Sequence, residues 1–321
     1  MMASLFHQLN FGTLPATMSP SVQAVKISNP VLPKGSWVLV TGANGFIASH
    51  ICDQLLAFGF NVRGTVRSIP KNEWINHLFS SRHPSAKFEL ICVPNINAEG
   101  AFDEAVKGMH GIAHTSHSMD LNPDPNVSVT GTITQTLSIL HAGSTKTSVK
   151  RFVLLSSCAA ACKASPNVVQ TITSSSWNED EVQKAWDPNY KDPLIPGLVA
   201  YGASKTQGEQ AAWKWVEENK PGFVLNVVCP NANIGLILDP KHQQSPSSDA
   251  WTKGLWNGNL GYWEYLSCRK WGTSIPSSCS PVASWILYRR PRHSTSLRRR
   301  HGTPLRHHRT HLSIRPSVQL Q

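Results

Sequence analysis

A tyrosine and a lysine four residues apart, Tyr201 and Lys205 in the segment Tyr-Gly-Ala-Ser-Lys, could carry out proton transfer. At this spacing the two side chains share one face of a helix and lie one turn apart. A free phenol has a pKa near 10, about three units too high for neutral pH, and a neighbouring ammonium favours the phenolate. The pair therefore predicts a helix that carries a tuned acid–base tyrosine, although the spacing also occurs by chance.

A glycine-rich turn lies upstream, where an apolar strand at residues 37–40 runs into Gly42-x-x-Gly45-x-x-Ala48 and an amphipathic helix follows. Small residues allow a tight turn and let a pyrophosphate approach the helix N-terminus, where free N–H groups and the helix dipole favour an anion. The spacing meets the general dinucleotide fingerprint only in part. The strand before the turn and the helix after it favour a dinucleotide site over an empty turn.

Together these segments resemble the extended short-chain dehydrogenase/reductase superfamily. They are most similar to its dihydroflavonol-reductase-like branch, which includes fungal aldehyde and ketone reductases. The resemblance extends from about residue 34 to about residue 265, and it is most specific in the nucleotide-binding half. Further matching stretches are residues 62–68, 148–157, 211–219 and 227–233.

The resemblance implies a catalytic set of Ser157, Tyr201 and Lys205. Ser157 would hold a carbonyl oxygen, Tyr201 would protonate it, and Lys205 would bind the nicotinamide ribose and keep the tyrosine pKa low. The implied function is NADPH-dependent reduction of an aldehyde or ketone of a small metabolite, in detoxification or secondary metabolism. Hydroxysteroid dehydrogenation and nucleotide-sugar epimerisation use the same set and stay open, as does a catalytically inactive NADPH-binding protein.

NADPH is favoured over NADH because no acidic residue occurs between Asp53 and Glu73, where an NAD site holds the ribose hydroxyls. Arg67 and Lys71 follow the second strand instead, and both suit a 2′-phosphate. The family places an Asp after the third strand and a small residue after the fourth, where this chain has Asn95 and His117. The predicted cofactor-binding residues are Thr41, Gly42, Asn44, Gly45, Phe46, Ile47, Arg67, Lys71, Asn95, Ile96, Tyr201, Lys205 and Pro230.

The remaining pattern alternates short apolar strands with helices, which predicts an α/β doubly wound parallel sheet of the Rossmann type. Strands are predicted at 37–40, 61–66, 88–93, 111–115, 152–156 and 223–229. Helices are predicted at 46–58, 72–79, 101–107, 127–142 and 201–219. The predicted domains are a disordered leader (1–33), the nucleotide-binding domain (34–235), a small and incomplete C-terminal substrate lobe (236–265) and a basic tail (266–321).

Charge separates the tail from the body. The chain has 30 basic and 19 acidic residues, a net charge of +11. Residues 1–265 hold 19 of each, whereas residues 266–321 hold 11 basic residues and no acid. The neutral body does not predict nucleic-acid binding. For the Arg/His-rich tail we weigh RNA or acidic-lipid binding, metal binding, and our preferred interpretation, a disordered segment translated from a shifted reading frame or a retained intron.

Cysteine usage and hydropathy favour a cytoplasmic protein with no membrane anchor. The seven cysteines are scattered singly, which suits free thiols in a reducing compartment and predicts no metal site. No apolar run reaches the roughly 20 residues that cross a bilayer. The predicted partner is therefore a small carbonyl substrate, and the expected assembly is a monomer or a homodimer.

Overall fold

Six apolar segments form the parallel strands of a sheet, which confirms the predicted fold class. The computed structural model describes residues 30–117, 121–163, 170–191, 197–244, 253–254, 256–258 and 286–289. The parallel strands are β1 (Trp37–Val40), β2 (Asn61–Val66), β3 (Phe88–Cys92), β4 (Gly111–His114), β5 (Arg151–Leu155) and β6 (Val224–Pro230). Each begins and ends within one or two residues of its predicted bounds.

The sheet order is β3-β2-β1-β4-β5-β6, with a seventh strand, β7 (Ile286–Arg289), antiparallel beside β6. The order reverses direction between β1 and β4, and open parallel sheets bind their ligands at such a point, at the carboxyl ends of the strands. β7 lies within the tail for which no regular structure was expected, so these four residues are an exception to that expectation. The rest of residues 266–321, like the leader through residue 29, lies outside the described part of the chain.

Helices cover both faces of the sheet. They are α1 (Phe46–Ala57), α2 (Trp74–Arg82), α3 (Pro125–Ser144), α4 (Glu179–Trp186) and α5 (Leu198–Asn219). Neighbouring strand residues alternate between two apolar clusters: Leu39 packs with the cluster that contains residues of α3 and α5, and Val40 with the cluster that contains residues of α1 and α2. No helix in the described ranges is long and apolar enough to cross a membrane.

Two helices differ from the prediction. Residues 101–107 form consecutive turns and not an α-helix, because the stretch is short and lies between Gly100 and Gly108, whose φ angles of +65° and +75° interrupt a right-handed helix. The helix α4 was not predicted, since its surroundings are rich in polar residues without a clear period. Asn178 caps it by accepting a hydrogen bond from the Glu181 N–H, and three acidic residues follow in its first turn.

Candidate active site

The turn after β1 has the backbone geometry of a phosphate cradle. Gly42 has a φ of +66°, and a Cβ at this position would lie 3.2 Å from the Cβ of Ser116 in the loop after β4. The Gly45 N–H donates to the Gly42 carbonyl at 2.9 Å, which closes the turn. Helix α1 then begins at Phe46 without a capping side chain and without an acidic residue in its first turn. The helix N-terminus thus keeps the features that suit a pyrophosphate.

Thr41, predicted as a cofactor residue, is fully buried and ties two loops together. Its Oγ1 accepts hydrogen bonds from the backbone N–H groups of Thr115 and Ser116 at 2.9 and 3.0 Å. It also lies 3.0 Å from Nδ1 of His114. Thr41 therefore supports the cradle by fixing the loop after β4.

Two residues of β2 that hold the glycine turn after β1 were not predicted. A Cβ on Gly64 would lie only 2.5 Å from the Cβ of Ala43, so only glycine lets the turn approach the strand this closely. The next residue, Thr65, accepts a hydrogen bond from the Gly42 N–H through Oγ1 at 3.0 Å. A glycine inside a strand is a signal for such a close approach.

Arg67 follows the end of β2, as predicted, and both Arg67 and Lys71 are exposed. Among the described residues neither side chain forms an ion pair, whereas Arg63 on the same strand donates to Glu89 at 2.6 Å. The two cations at the carboxyl end of β2 are therefore available to an anionic ligand. A 2′-phosphate fits their charge and position.

Asn95 and Ile96 follow β3 at the same edge of the sheet. The Asn95 side-chain oxygen accepts from the Asn97 N–H at 3.0 Å and keeps a second lone pair for a donor such as an adenine amino group. Ile96 is half-buried and packs against the core. Asn44, Phe46 and Ile47, the other predicted contacts of the turn, are exposed or half-buried around the start of α1.

The structure brings the three predicted catalytic residues together. Ser157 is buried two residues after the end of β5, and its hydroxyl is close enough to the phenol of Tyr201 to lower the pKa of that phenol. Tyr201 and Lys205 lie one turn apart on α5, and the Lys205 Nζ is 5.8 Å from the centroid of the tyrosine ring. The loop after β4 links this set to the glycine turn, because Ser116 approaches Gly42 and also lines a cavity with Lys205.

The electrostatics differ from the sequence expectation at the tyrosine. Burial raises the pKa of Tyr201, and the hydrogen bond with Ser157 lowers it only in part. Burial also lowers the pKa of Lys205 to about 8. The sequence predicts a tyrosine pKa lowered by the lysine, whereas burial of the phenol acts in the opposite direction in this structure. At neutral pH the site holds a protonated phenol beside an ammonium.

Two histidines, His114 at the end of β4 and His117 in the loop after it, are kept neutral. Burial lowers the pKa of His114 to about 3, and burial together with the charge of Lys205 lowers the pKa of His117 well below its ordinary value. His117, which stands where the resembled branch has a small residue, meets the Tyr201 ring edge to face with centroids 5.9 Å apart.

Residues 239–243, in the predicted substrate lobe, pack onto the glycine turn. Gln243 is buried and donates to the Asn44 carbonyl at 3.1 Å and to Ser49 Oγ at 3.0 Å. His242 stacks on Trp74 with ring centroids 5.3 Å apart. This segment therefore stabilises the start of α1 by hydrogen bonds. Its polar sequence did not predict this role. Pro230, the last predicted cofactor residue, ends β6 and is buried.

Helix α4 packs against the catalytic helix through a buried carboxyl group. Glu181 is 5% exposed, and its Oε2 lies 1.7 Å from the position that a Cβ on Gly202 would occupy. Gly202 directly follows Tyr201, so a glycine at this position is what lets α4 dock. Asn178 donates to Glu181 Oε2 at 2.7 Å and to the Ala159 carbonyl at 2.8 Å, which also secures the chain after Ser157.

Replacing Glu181 with glutamine is expected to stabilise the protein at pH 8 by up to about 3 kcal/mol and to have little effect at pH 5. Burial raises the pKa of Glu181 from 4.5 to about 7. Because the folded-state pKa is raised, the contribution of Glu181 to the free energy of unfolding is fully present below pH 4.5. This contribution is lost as the pH rises through about 7. Thermal unfolding of both proteins at the two pH values measures this. Glu179→Gln, an exposed change on the same helix, is the matched control, and an equal gain at both pH values would contradict the prediction.

Within the described residues the five cysteines are free thiols, and no group of histidine, cysteine and acidic side chains could hold a metal ion.

Comparison with known proteins matches residues 38–236 to the family model described as the NAD dependent epimerase/dehydratase family. Aldehyde reductase 2 of Sporidiobolus salmonicolor is 44% identical over 236 residues, which cover 73% of this chain and 68% of that protein. Ketoreductase adrE of Penicillium rubens is 37% identical over 243 residues, or 74% of this chain and 68% of that protein. The chain thus covers about two thirds of the length of these relatives.

Solved structures show the same similarity. Yeast methylglyoxal/isovaleraldehyde reductase Gre2, solved in complex with NADPH, is 32% identical with a TM-score of 0.55, and the match covers 64% of this chain and 60% of that one. Gre2 from Candida albicans is 27% identical with a TM-score of 0.54, covering 67% and 63%. The predicted resemblance to fungal aldehyde and ketone reductases is confirmed.

Proposed function

Because the chain belongs to the NAD dependent epimerase/dehydratase family, we propose that it reduces the carbonyl group of a small aldehyde or ketone with NADPH. The observation that carries the proposal is the assembly of Ser157, Tyr201 and Lys205 at the carboxyl end of β5, linked to the Gly42 turn by the loop after β4. The names of the relatives, an aldehyde reductase and a ketoreductase, agree with this chemistry.

The nucleotide fits the residues present. Gly42 and Gly45 leave room for the pyrophosphate at the start of α1, and Arg67 and Lys71 offer cations to a 2′-phosphate. When bound, the nicotinamide supplies a hydride to the carbonyl carbon. All other chemistry falls to side chains of this chain.

The Ser157 hydroxyl holds the carbonyl oxygen by donating a hydrogen bond to it, which polarises the carbonyl group. The Tyr201 phenol then donates its proton to the same oxygen as negative charge develops there, so that the product is an alcohol. The raised pKa of Tyr201 keeps the phenol protonated and ready to donate at neutral pH. The Lys205 ammonium stabilises the phenolate that remains after the transfer.

A cytoplasmic location is also proposed. Its support is the set of free thiols among the described cysteines, which suits a reducing compartment.

The test is to purify the full chain, measure NADPH binding by fluorescence, and follow NADPH consumption at 340 nm with methylglyoxal, isovaleraldehyde and simple ketones. We expect saturable binding and turnover of at least one carbonyl compound, with stoichiometric alcohol. Binding without turnover would favour an inactive NADPH-binding protein. Formation of NADPH from NADP⁺ with a hydroxysteroid, or epimerisation of a nucleotide sugar without net NADPH consumption, in the absence of carbonyl reduction would favour the other chemistries of this fold.

A further inference from the structure

Glu209 is a buried carboxylate one helical turn beyond Lys205, and the reaction described above does not use it. Only 1% of the residue is exposed. Its two oxygens accept hydrogen bonds from Ser156 Oγ at 2.7 Å, Trp213 Nε1 at 3.3 Å and Cys229 Sγ at 3.5 Å. Hydrogen-bond donors therefore surround both oxygens of this buried carboxyl group.

Two groups near Lys205 favour its charged form, Cys229 and then Glu209, and Glu209 is the carboxyl group of the two. Burial lowers the pKa of Lys205 to about 8, and the charges of Cys229 and Glu209 oppose that shift. The other titratable groups that face the lysine from the neighbouring elements are His114, His117 and Tyr201. The two histidines are neutral and the tyrosine is protonated, so none of these three supplies a negative charge.

Glu209 also reaches the other half of the catalytic set. Its Ser156 partner is the residue directly before Ser157, and the hydrogen bond between them joins α5 to the end of β5. Lys205, Glu209 and Ser156 line one small cavity. A single buried group therefore contacts the chain that carries the serine and acts electrostatically on the lysine.

We propose that Glu209 is a positioning residue of this site: its negative charge keeps the Lys205 ammonium protonated, and its hydrogen bond with Ser156 holds the strand end that carries Ser157. The inference rests on the proposed function only in taking Lys205 to act as a cation towards the nicotinamide ribose and the tyrosine. Ionised Glu209 touches neither substrate nor cofactor in this proposal.

The experiment compares NADPH binding by wild type and Glu209→Gln between pH 6 and pH 10, by fluorescence titration. Wild-type affinity should fall with a midpoint near the Lys205 pKa of about 8. Glutamine keeps the shape and removes the charge, so the lysine should lose its proton more easily and the midpoint should move down by about one pH unit. The basic limb of kcat/KM, measured with methylglyoxal, should move in the same direction.

Two variants separate charge from structure. Glu209→Asp keeps the charge and should keep the wild-type midpoint, while Ser156→Ala removes only the hydrogen bond and should lower kcat without moving the midpoint. A purely structural role for Glu209 would lower affinity or kcat equally at every pH. Equal midpoints in wild type and Glu209→Gln, including two curves that are flat over this range, would overturn the proposal.

Two further readouts keep the test decisive. If wild type binds NADPH but turns over no carbonyl compound, the reductase proposal fails while the binding midpoints still test Glu209. If Glu209→Gln does not fold, the Lys205→Met/Glu209→Gln double variant should recover a cooperative thermal transition, because it removes both charges of the buried pair. A double variant that folds no better than Glu209→Gln would also overturn the proposal.

Discussion

Replacing Tyr201 with phenylalanine is expected to lower kcat by roughly 10²–10⁴-fold, the usual contribution of a positioned general acid. The change removes one hydroxyl and keeps the ring, so the edge contact with His117 and the packing of α5 are preserved. NADPH affinity should stay within about twofold of wild type, because the variant keeps the aromatic ring and loses only the hydroxyl that donates the proton. Stopped-flow or steady-state NADPH oxidation, together with fluorescence binding, gives both numbers.

Tyr190→Phe is the matched control for this loss, since Tyr190 lies after α4 and outside the catalytic set. It should retain nearly all of the wild-type kcat. If Tyr201→Phe kept most of its rate, another group would have to donate the proton, and the proposed role of Tyr201 would be wrong. A large rise in the Kd for NADPH would instead point to damage in the cofactor site.

Much of the fold could be predicted because its signals are local. The six parallel strands are short apolar runs, and α1, α3 and α5 carry apolar residues at helical spacing or follow a clear turn. The Tyr201 and Lys205 pair was predicted on one helix face, and that is where the structure has it. Resemblance to a known family added Ser157, which its own sequence context does not distinguish from an ordinary residue at a strand end.

Contacts between distant segments explain what the sequence did not reveal. Glu181 lies in a polar helix whose burial depends on the absence of a Cβ at Gly202, 21 residues away along the chain. Gly64 is required because Ala43, in the turn after β1, packs directly against it. Gln243 stabilises the same turn by donating a hydrogen bond to Asn44, 199 residues away along the chain. No periodicity within a single segment encodes such pairs.

The tyrosine pKa shows a similar limit. The sequence places a cation one turn from Tyr201, and that alone predicts a lowered pKa. The opposing effect is burial of the phenol, which is a property of the folded chain. The sign of a pKa shift at a buried site depends on which of these effects is larger, and the larger one here is desolvation.

Replacing Arg67 with alanine is expected to weaken NADPH binding by roughly 10- to 100-fold, which corresponds to about 1.4–2.7 kcal/mol for a charge-assisted contact. NADH, which lacks the 2′-phosphate, should lose no more than about twofold in affinity. Arg67 is exposed at the carboxyl end of β2 and forms no ion pair within the described chain, so its loss removes ligand contacts without leaving a partner unpaired. Fluorescence titrations of wild type and variant with the two nucleotides measure the change in preference for NADPH over NADH.

Lys107→Ala is the control for a general loss of positive charge. Its ammonium is ion-paired with Glu104 at 2.5 Å, and its carbonyl accepts a hydrogen bond from Arg63 of β2. This variant should bind both nucleotides as wild type does. The proposed Arg67 contact is ionic, so salt should weaken it. The difference in NADPH affinity between wild type and Arg67→Ala should therefore decrease as the salt concentration is raised. The affinity for NADH should change little with salt. Equal losses for NADPH and NADH, or a wild type that binds NADH more tightly, would show that Arg67 does not select the phosphate.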